Sequence, residues 1–167
     1  MSVEVRRILA GEWQELRDVR LRALLDAPDA YGSTHEQESG DPDDSWRDWA
    51  ASGAEGGQGF TAIAVGDTRW VGLAVGAPHH AFPGEVGLFA MWVDPAWRGR
   101  GVGRRLVDGV IAWAAIERFP TIRLLVTETN GPALRLYERC GFVDTGERVP
   151  LREGSDLAAV SMIRSLA

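Results

Sequence analysis

The stretch Val93-Asp94-Pro95-Ala96-Trp97-Arg98-Gly99-Arg100-Gly101-Val102-Gly103-Arg104-Arg105 separates two runs of different periodicity. Before it, Glu85–Val93 is apolar and bounded by turn residues, and reads as a strand. After it, Gly101–Glu117 places Val102, Leu106, Val110 and Trp113, with Val107, Ile111 and Ala114 beside them, at a helical period. The stretch is therefore a strand-to-helix turn. Its alternate glycines let the backbone approach a ligand closely with N–H groups uncovered. The helix start adds unpaired donors and a positive dipole end. Arg98, Arg100, Arg104 and Arg105 add charge, so the turn suits a phosphate or pyrophosphate.

Spacing rules against two common phosphate loops. A Walker loop requires Gly-Lys-Ser/Thr, and the chain has no lysine, since all 18 basic residues are arginine. A dinucleotide fingerprint requires G-x-G-x-x-G, whereas these glycines run G-x-G-x-G, which disfavours a nicotinamide oxidoreductase. The missing lysine also excludes a lysine Schiff base and a catalytic lysine.

Outward from the turn, the chain reads as mixed α/β. Val3–Leu9 is β-like, and Glu12–Asp26 is helical, with one set of apolar residues at Leu16, Val19 and Ala23 and a second at Leu21, Leu24 and Leu25. Asp29–Gly40 reads as loop or irregular turn. Asp41-Pro42-Asp43-Asp44 reads as an N-cap, a first-turn proline and first-turn acids, opening a helix to about Ser52. Gly53–Gly59 reads as a glycine-rich loop. Strands are predicted at Phe60–Val65 and Trp70–Ala77, joined by a turn at Gly66-Asp67. Beyond the long helix, Ile122–Thr127 is a strand, Pro132–Cys140 a short helix, and Phe142–Arg148 and Ala158–Arg164 are strands.

At 167 residues the chain is expected to form a single domain, 1–167, able to bury a core without metal or disulfides. One cysteine, Cys140, excludes a multi-cysteine metal site, and no metal is expected. The net charge of −6 argues against nucleic acid as the main partner. No apolar stretch approaches the ~20 residues of a membrane span, and no membrane partner is expected. The first residues lack the apolar core of a signal peptide, which predicts a cytoplasmic location.

A second motif follows at Asn130-Gly131-Pro132-Ala133-Leu134-Arg135-Leu136-Tyr137-Glu138-Arg139-Cys140-Gly141-Phe142. Together the two stretches resemble the paired signatures of the GCN5-related N-acetyltransferases, the GNAT superfamily. The first resembles R/Q-x-x-G-x-G/A after V-x-P, and the second N-x-x-A-x-x-L-Y-x-x-x-G-F. The resemblance implies a mixed, mostly antiparallel sheet of about seven strands, splayed between the fourth and fifth and flanked by about four helices. It implies acetyl-CoA as donor, with the backbone of Met91 and Val93 holding the pantetheine arm. By the same resemblance Arg98, Gly99, Arg100, Gly101, Gly103 and Arg104 would wrap the pyrophosphate, and Asn130 and Ala133 would meet the arm. Tyr137 would be the general acid that protonates the departing thiolate, whose conjugate acid lies near ~8.5 against ~10 for a phenol.

The acceptor amine must lose a proton before it attacks. Glu85, at the start of the fourth strand, is the first candidate base; Glu128 is the second, and water the third. His79 and His80 read as a solvated pair in a proline-flanked turn, and Cys140 as a packed helix-end residue. Trp13 and Trp113 are expected in the core, and Trp46, Trp49 and Trp97 either over helices or in an acceptor pocket. The segment Tyr31–Glu38 would overhang that pocket, with Glu36, Glu38, Asp41, Asp43, Asp44 and Asp48 making it acidic and favourable to a cationic amine. The expected activity is direct acetyl transfer from acetyl-CoA to a primary amine of a small molecule or peptide. The competing expectation is a non-catalytic acyl-CoA sensor, and a homodimer through the C-terminal strands is possible on either.

Overall fold

A computed structural model describes residues 2–167. Seven strands form one sheet in the order β1-β2-β3-β4-β5-β7-β6. They are β1 Glu4–Arg7, β2 Phe60–Val65, β3 Trp70–Pro78, β4 Val86–Val93, β5 Thr121–Thr127, β6 Val143–Pro150 and β7 Ala158–Ser165. Every pairing is antiparallel except β4 with β5. That parallel pair is the sheet's weak line: it runs only from Val86↔Ile122 to Leu88↔Leu124, after which the strands part.

The helices are α1 Trp13–Asp26, α2 His35–Ser39, α3 Asp43–Ala54, α4 Val102–Ile116 and α5 Gly131–Arg139, with short 3-10 turns at Pro28–Ala30 and Pro95–Trp97. The parallel crossover from β4 to β5 carries α4. All seven apolar positions that marked α4 in the sequence are buried. With Ala62, Val71, Leu88 and Leu124 from the sheet they form one core. The opposite face is covered by α1 and α3, where Leu16, Val19, Trp46 and Ala50 meet Ile63, Leu73 and Trp92. Each such residue contributes roughly 1.5–3 kcal/mol by leaving water.

Several local expectations are corrected. Residues 29–40 are not all loop. Thr34 accepts from the Gln37 N–H at 3.2 Å, and Gln37 Oε1 accepts from the Thr34 N–H at 3.0 Å, a capping box that starts α2. The N-cap of α3 is Pro42, with no side-chain cap, rather than Asp41. The same helix continues through Gly53, where a Cβ would lie 2.3 Å from Thr61 Oγ1; glycine here serves close packing against β2. In α1, Leu25 faces solvent while the charged Arg20 is buried. Among the described residues there are five α-helices, against the four or so expected.

Candidate active site

The turn between β4 and α4 is built as its glycines suggest. Gly99 and Gly101 have φ of 75° and 79°, and no atom lies within 4 Å of where a Cβ would stand. Their requirement is conformational, because L side chains avoid this region. Gly101 is the N-cap of α4 and supplies no side-chain cap, so the first-turn N–H groups of α4 have no capping side chain. The arginines are less free than their charge suggests. Arg98 folds back, donating to the Val93 carbonyl at 2.9 Å and to Asp26 at 2.6 Å. Arg100 lies over the Trp97 ring at 5.3 Å, Arg104 pairs with Asp108 at 3.2 Å, and Arg105 donates to the Val3 carbonyl.

Next to the turn, β4 breaks its ladder on both sides. Between Leu73↔Trp92 and Val75↔Phe89 it carries one residue more than β3, a bulge in which Ala90 has φ of 57°. Beyond Leu88 it has no β5 partner. The carbonyls of Met91 and Val93 are both engaged, the first by the Tyr31 hydroxyl at 3.1 Å and the second by Arg98.

One continuous cleft of about 1350 Å³ links these features. It begins at the Arg98–Arg104 turn and passes between Leu88 and Phe89 of β4 and Leu125 and Val126 of β5. It ends among Tyr31, Glu38, Trp49 and His79. The chain between α1 and α2 bridges it: Thr127 Oγ1 on β5 donates to the Asp29 carbonyl at 2.5 Å, and Tyr31 reaches Met91 on β4. Arg152, from the β6–β7 connection, secures this strap by donating to the Pro28 and Tyr31 carbonyls at 3.1 and 2.8 Å.

Tyr137 is the one buried residue of α5 and lines the cleft. Burial pushes its phenol above the ordinary value, and the neighbouring Tyr31 and Cys140 add to this, so it stays protonated at neutral pH. Asn130 caps α5 by accepting from the Ala133 N–H at 3.3 Å, and both residues line the cleft.

Glu85 is placed differently from expectation. It does not line the cleft; Arg123 holds its carboxylate at 2.6 and 3.1 Å. The hydrogen bonds from Arg123 keep its pKa below the usual carboxylate range. Glu128 does not line the cleft either. Of the acids near Tyr31–Glu38, Glu38 alone reaches it, and Arg20 neutralises that carboxylate at 2.9 and 2.7 Å. The expected acidic acceptor pocket is thus absent among the described residues, and Asp44 instead pairs with Arg47.

His79 is not solvated. It is 5% exposed, packed against Phe82 and Phe89, and burial holds its imidazole below the ordinary value, with the charges of His80 and Arg123 adding to the effect. Trp49 and Trp97 line the cleft, whereas Trp46 is core. Arg20 was missed because an arginine on an amphipathic helix reads as solvated.

A model described as the acetyltransferase (GNAT) family matches residues 13–142. A mycothiol acetyltransferase of Thermobifida fusca is 32% identical over 148 residues, covering 84% of this chain and 44% of that protein. The L-amino acid N-acetyltransferase AaaT of Escherichia coli is 34% identical over 86 residues, covering 48% of this chain and 51% of its own. The chain thus spans about half the length, or less, of these curated relatives. Among solved structures, yncA of Salmonella typhimurium with its cofactor acetyl-CoA superposes with a TM-score of 0.82 at 18% identity, covering 100% of this chain and 95% of that one. At that identity the likeness shows the fold.

Proposed function

The chain belongs to the acetyltransferase (GNAT) family, matching it over residues 13–142, and from that premise we propose that it transfers an acetyl group from acetyl-CoA to a primary amine of a small molecule. The observation that carries this is the single cleft, which runs from a phosphate-suited helix start through a gap in the sheet to a roofed pocket. The residues present fit the donor. The uncovered α4 donors and the backbone of Arg98, Gly99, Arg100, Gly101, Gly103 and Arg104 would take its pyrophosphate. The N–H groups of Met91 and Val93, beside the gap, would hold its arm and polarise the thioester, with Asn130 and Ala133 on the facing side.

Transfer is direct, within a ternary complex. The amine nitrogen attacks the thioester carbonyl carbon; a C–N bond forms, and the C–S bond breaks. Tyr137 gives its proton to the departing sulfur and regains one from the nitrogen through water. Cys140 takes no part as a nucleophile, since burial raises its thiol pKa. Because Glu38 is the one carboxylate among the described residues that lines the cleft, and Arg20 holds it, the acceptor enters from its neutral fraction and releases its proton to water. The names of the relatives favour small acceptors, and the strap over the cleft agrees with a pocket of limited size.

A thermal-shift titration with acetyl-CoA, CoA and NAD, followed by thiol release against a panel of amines, tests the reading. Ligand at 100 times its Kd adds about 2.7 kcal/mol of stability. A shift with acetyl-CoA and not NAD, with thiol release on adding an amine, supports it. A shift with no thiol release from any amine points to the sensor instead, and no shift overturns both.

A further inference from the structure

The roofed end of the cleft offers a ligand carbon rather than charge. Leu88 and Leu124 point into the core beneath α4. Strand alternation therefore turns their neighbours Phe89 and Leu125 to the opposite face of the sheet. Leu125 shares that face with Thr127, whose hydroxyl holds the strap. Ala77, Phe89, Leu125 and Leu151 all line the cleft, keep accessible surface and pack into neither core. Leu125 is 41% exposed, and among the described residues it is the one exposed large apolar side chain that lines the cleft; Leu9, Leu25, Ile116 and Val143 lie elsewhere. An uncovered leucine forgoes the gain of leaving water, and a ligand in the cleft restores it.

The polar side chains around this floor are already engaged. Arg20, itself buried, spends Nε and Nη2 on the two oxygens of Glu38, at 2.9 and 2.7 Å. The Tyr31 hydroxyl donates to the Met91 carbonyl at 3.1 Å, Trp49 Nε1 to Thr61 Oγ1 at 3.3 Å and Ser33 Oγ to Gln37 Oε1 at 3.4 Å. His79 is buried, and the exposed His80 stacks on it at 5.5 Å. The one cleft carboxylate is thus spent, and the arginine beside it is spent on it. A second charge carried in by an acceptor would lose water here without gaining a partner.

We propose that the acceptor is a primary monoamine on an uncharged apolar body, which lies on Phe89 and Leu125 with its nitrogen toward the gap. Leu125 is then a specificity-determining residue of the cleft. The same floor favours the neutral amine over its ammonium form, and the neutral amine is the one that attacks. This rests on the acetyltransferase reading and names its substrate class.

The test is thiol release from acetyl-CoA with three amines of equal length and different far ends: hexylamine, hexamethylenediamine and aminocaproate. Compared per neutral amine, hexylamine should exceed each of the others by about 30-fold in kcat/KM, the factor that corresponds to about 2 kcal/mol. It should also exceed butylamine by about 15-fold, from two further buried methylenes. Leu125 is exposed, so polar replacements there should fold. Leu125→Asp should keep the acetyl-CoA thermal shift, weaken hexylamine and raise hexamethylenediamine. Leu125→Asn should weaken hexylamine without that gain. Equal use of the three amines, or preference for either charged end, overturns the proposal, as does an unchanged amine preference in Leu125→Asp. So does an acetyl-CoA shift with no hexylamine turned over, which leaves the donor reading standing. Absence of that shift overturns the reading beneath it as well.

Discussion

At the scale of single residues, Tyr137 and Glu85 carry opposite expectations. Tyr137→Phe keeps the buried ring and its edge-on contact with Phe142, so the melting temperature and the acetyl-CoA shift should hardly change. On the proposed mechanism, in which Tyr137 is the proton donor, its loss should lower kcat by about 10²–10⁴-fold, read by thiol release. Glu85→Gln should do the reverse. It loosens the pair with Arg123, itself bound to Ser161 on β7 at 2.7 Å, at a cost of about 1–3 kcal/mol, while activity per folded molecule persists. The pH dependence follows from the depressed pKa of Glu85. Its contribution is complete above the ordinary carboxyl value and is lost as pH falls through the lower folded one. Melting curves of the two proteins should therefore converge in acid. Activity has a different profile. On the proposed mechanism, in which water takes the acceptor's proton, log kcat/KM should climb by about one unit per pH unit toward the pKa of the acceptor amine; a plateau well below that pKa would indicate a base in the cleft.

At the scale of elements, α4 and its glycine turn do most to set the site. Leu106, fully buried, should cost about 2–5 kcal/mol when replaced by alanine, seen as an earlier denaturant midpoint with unchanged acetyl-CoA affinity per folded molecule. Gly101→Ala should cost about 1–2 kcal/mol for its left-handed backbone and should also weaken acetyl-CoA binding, because the first turn of α4 shifts with it. The same elements were the most legible in the sequence, where a long 3.6 period beside a glycine turn leaves few alternatives. The short helix α2 was legible in principle, since Thr34-His35-Glu36-Gln37 spells a capping box. It was read as loop because no apolar face follows that signal. Tyr31 was placed in the segment over the acceptor pocket, whereas its bond to the Met91 carbonyl depends on the bulge at Ala90, which no local pattern announces. The ion pairing of Glu85 and Glu38 was not legible for one reason: their arginine partners, Arg123 and Arg20, lie 38 and 18 residues away.

At the scale of the whole molecule, the order of strands and helices followed from the sequence because each α/β junction is sharp. The meeting of three distant segments over the cleft did not, since Thr127, Tyr31 and Arg152 are joined by backbone carbonyls that accept from any suitable donor. The sheet itself is two partial sheets, β1–β4 and β5–β7, laced together by three residue pairs. Such a seam is where a cooperative unit divides, so partial opening between the halves should lie below global unfolding in free energy. Amide hydrogen exchange would reveal it as faster exchange at Leu125 and Thr127, whose amides alternate toward the gap, than at Arg123 of the same strand. A ligand whose own amides occupy the gap acts there as a missing strand. Acetyl-CoA should then slow exchange on both lips of the seam and merge two unfolding units into one, a change in cooperativity that no shift in melting temperature alone would disclose.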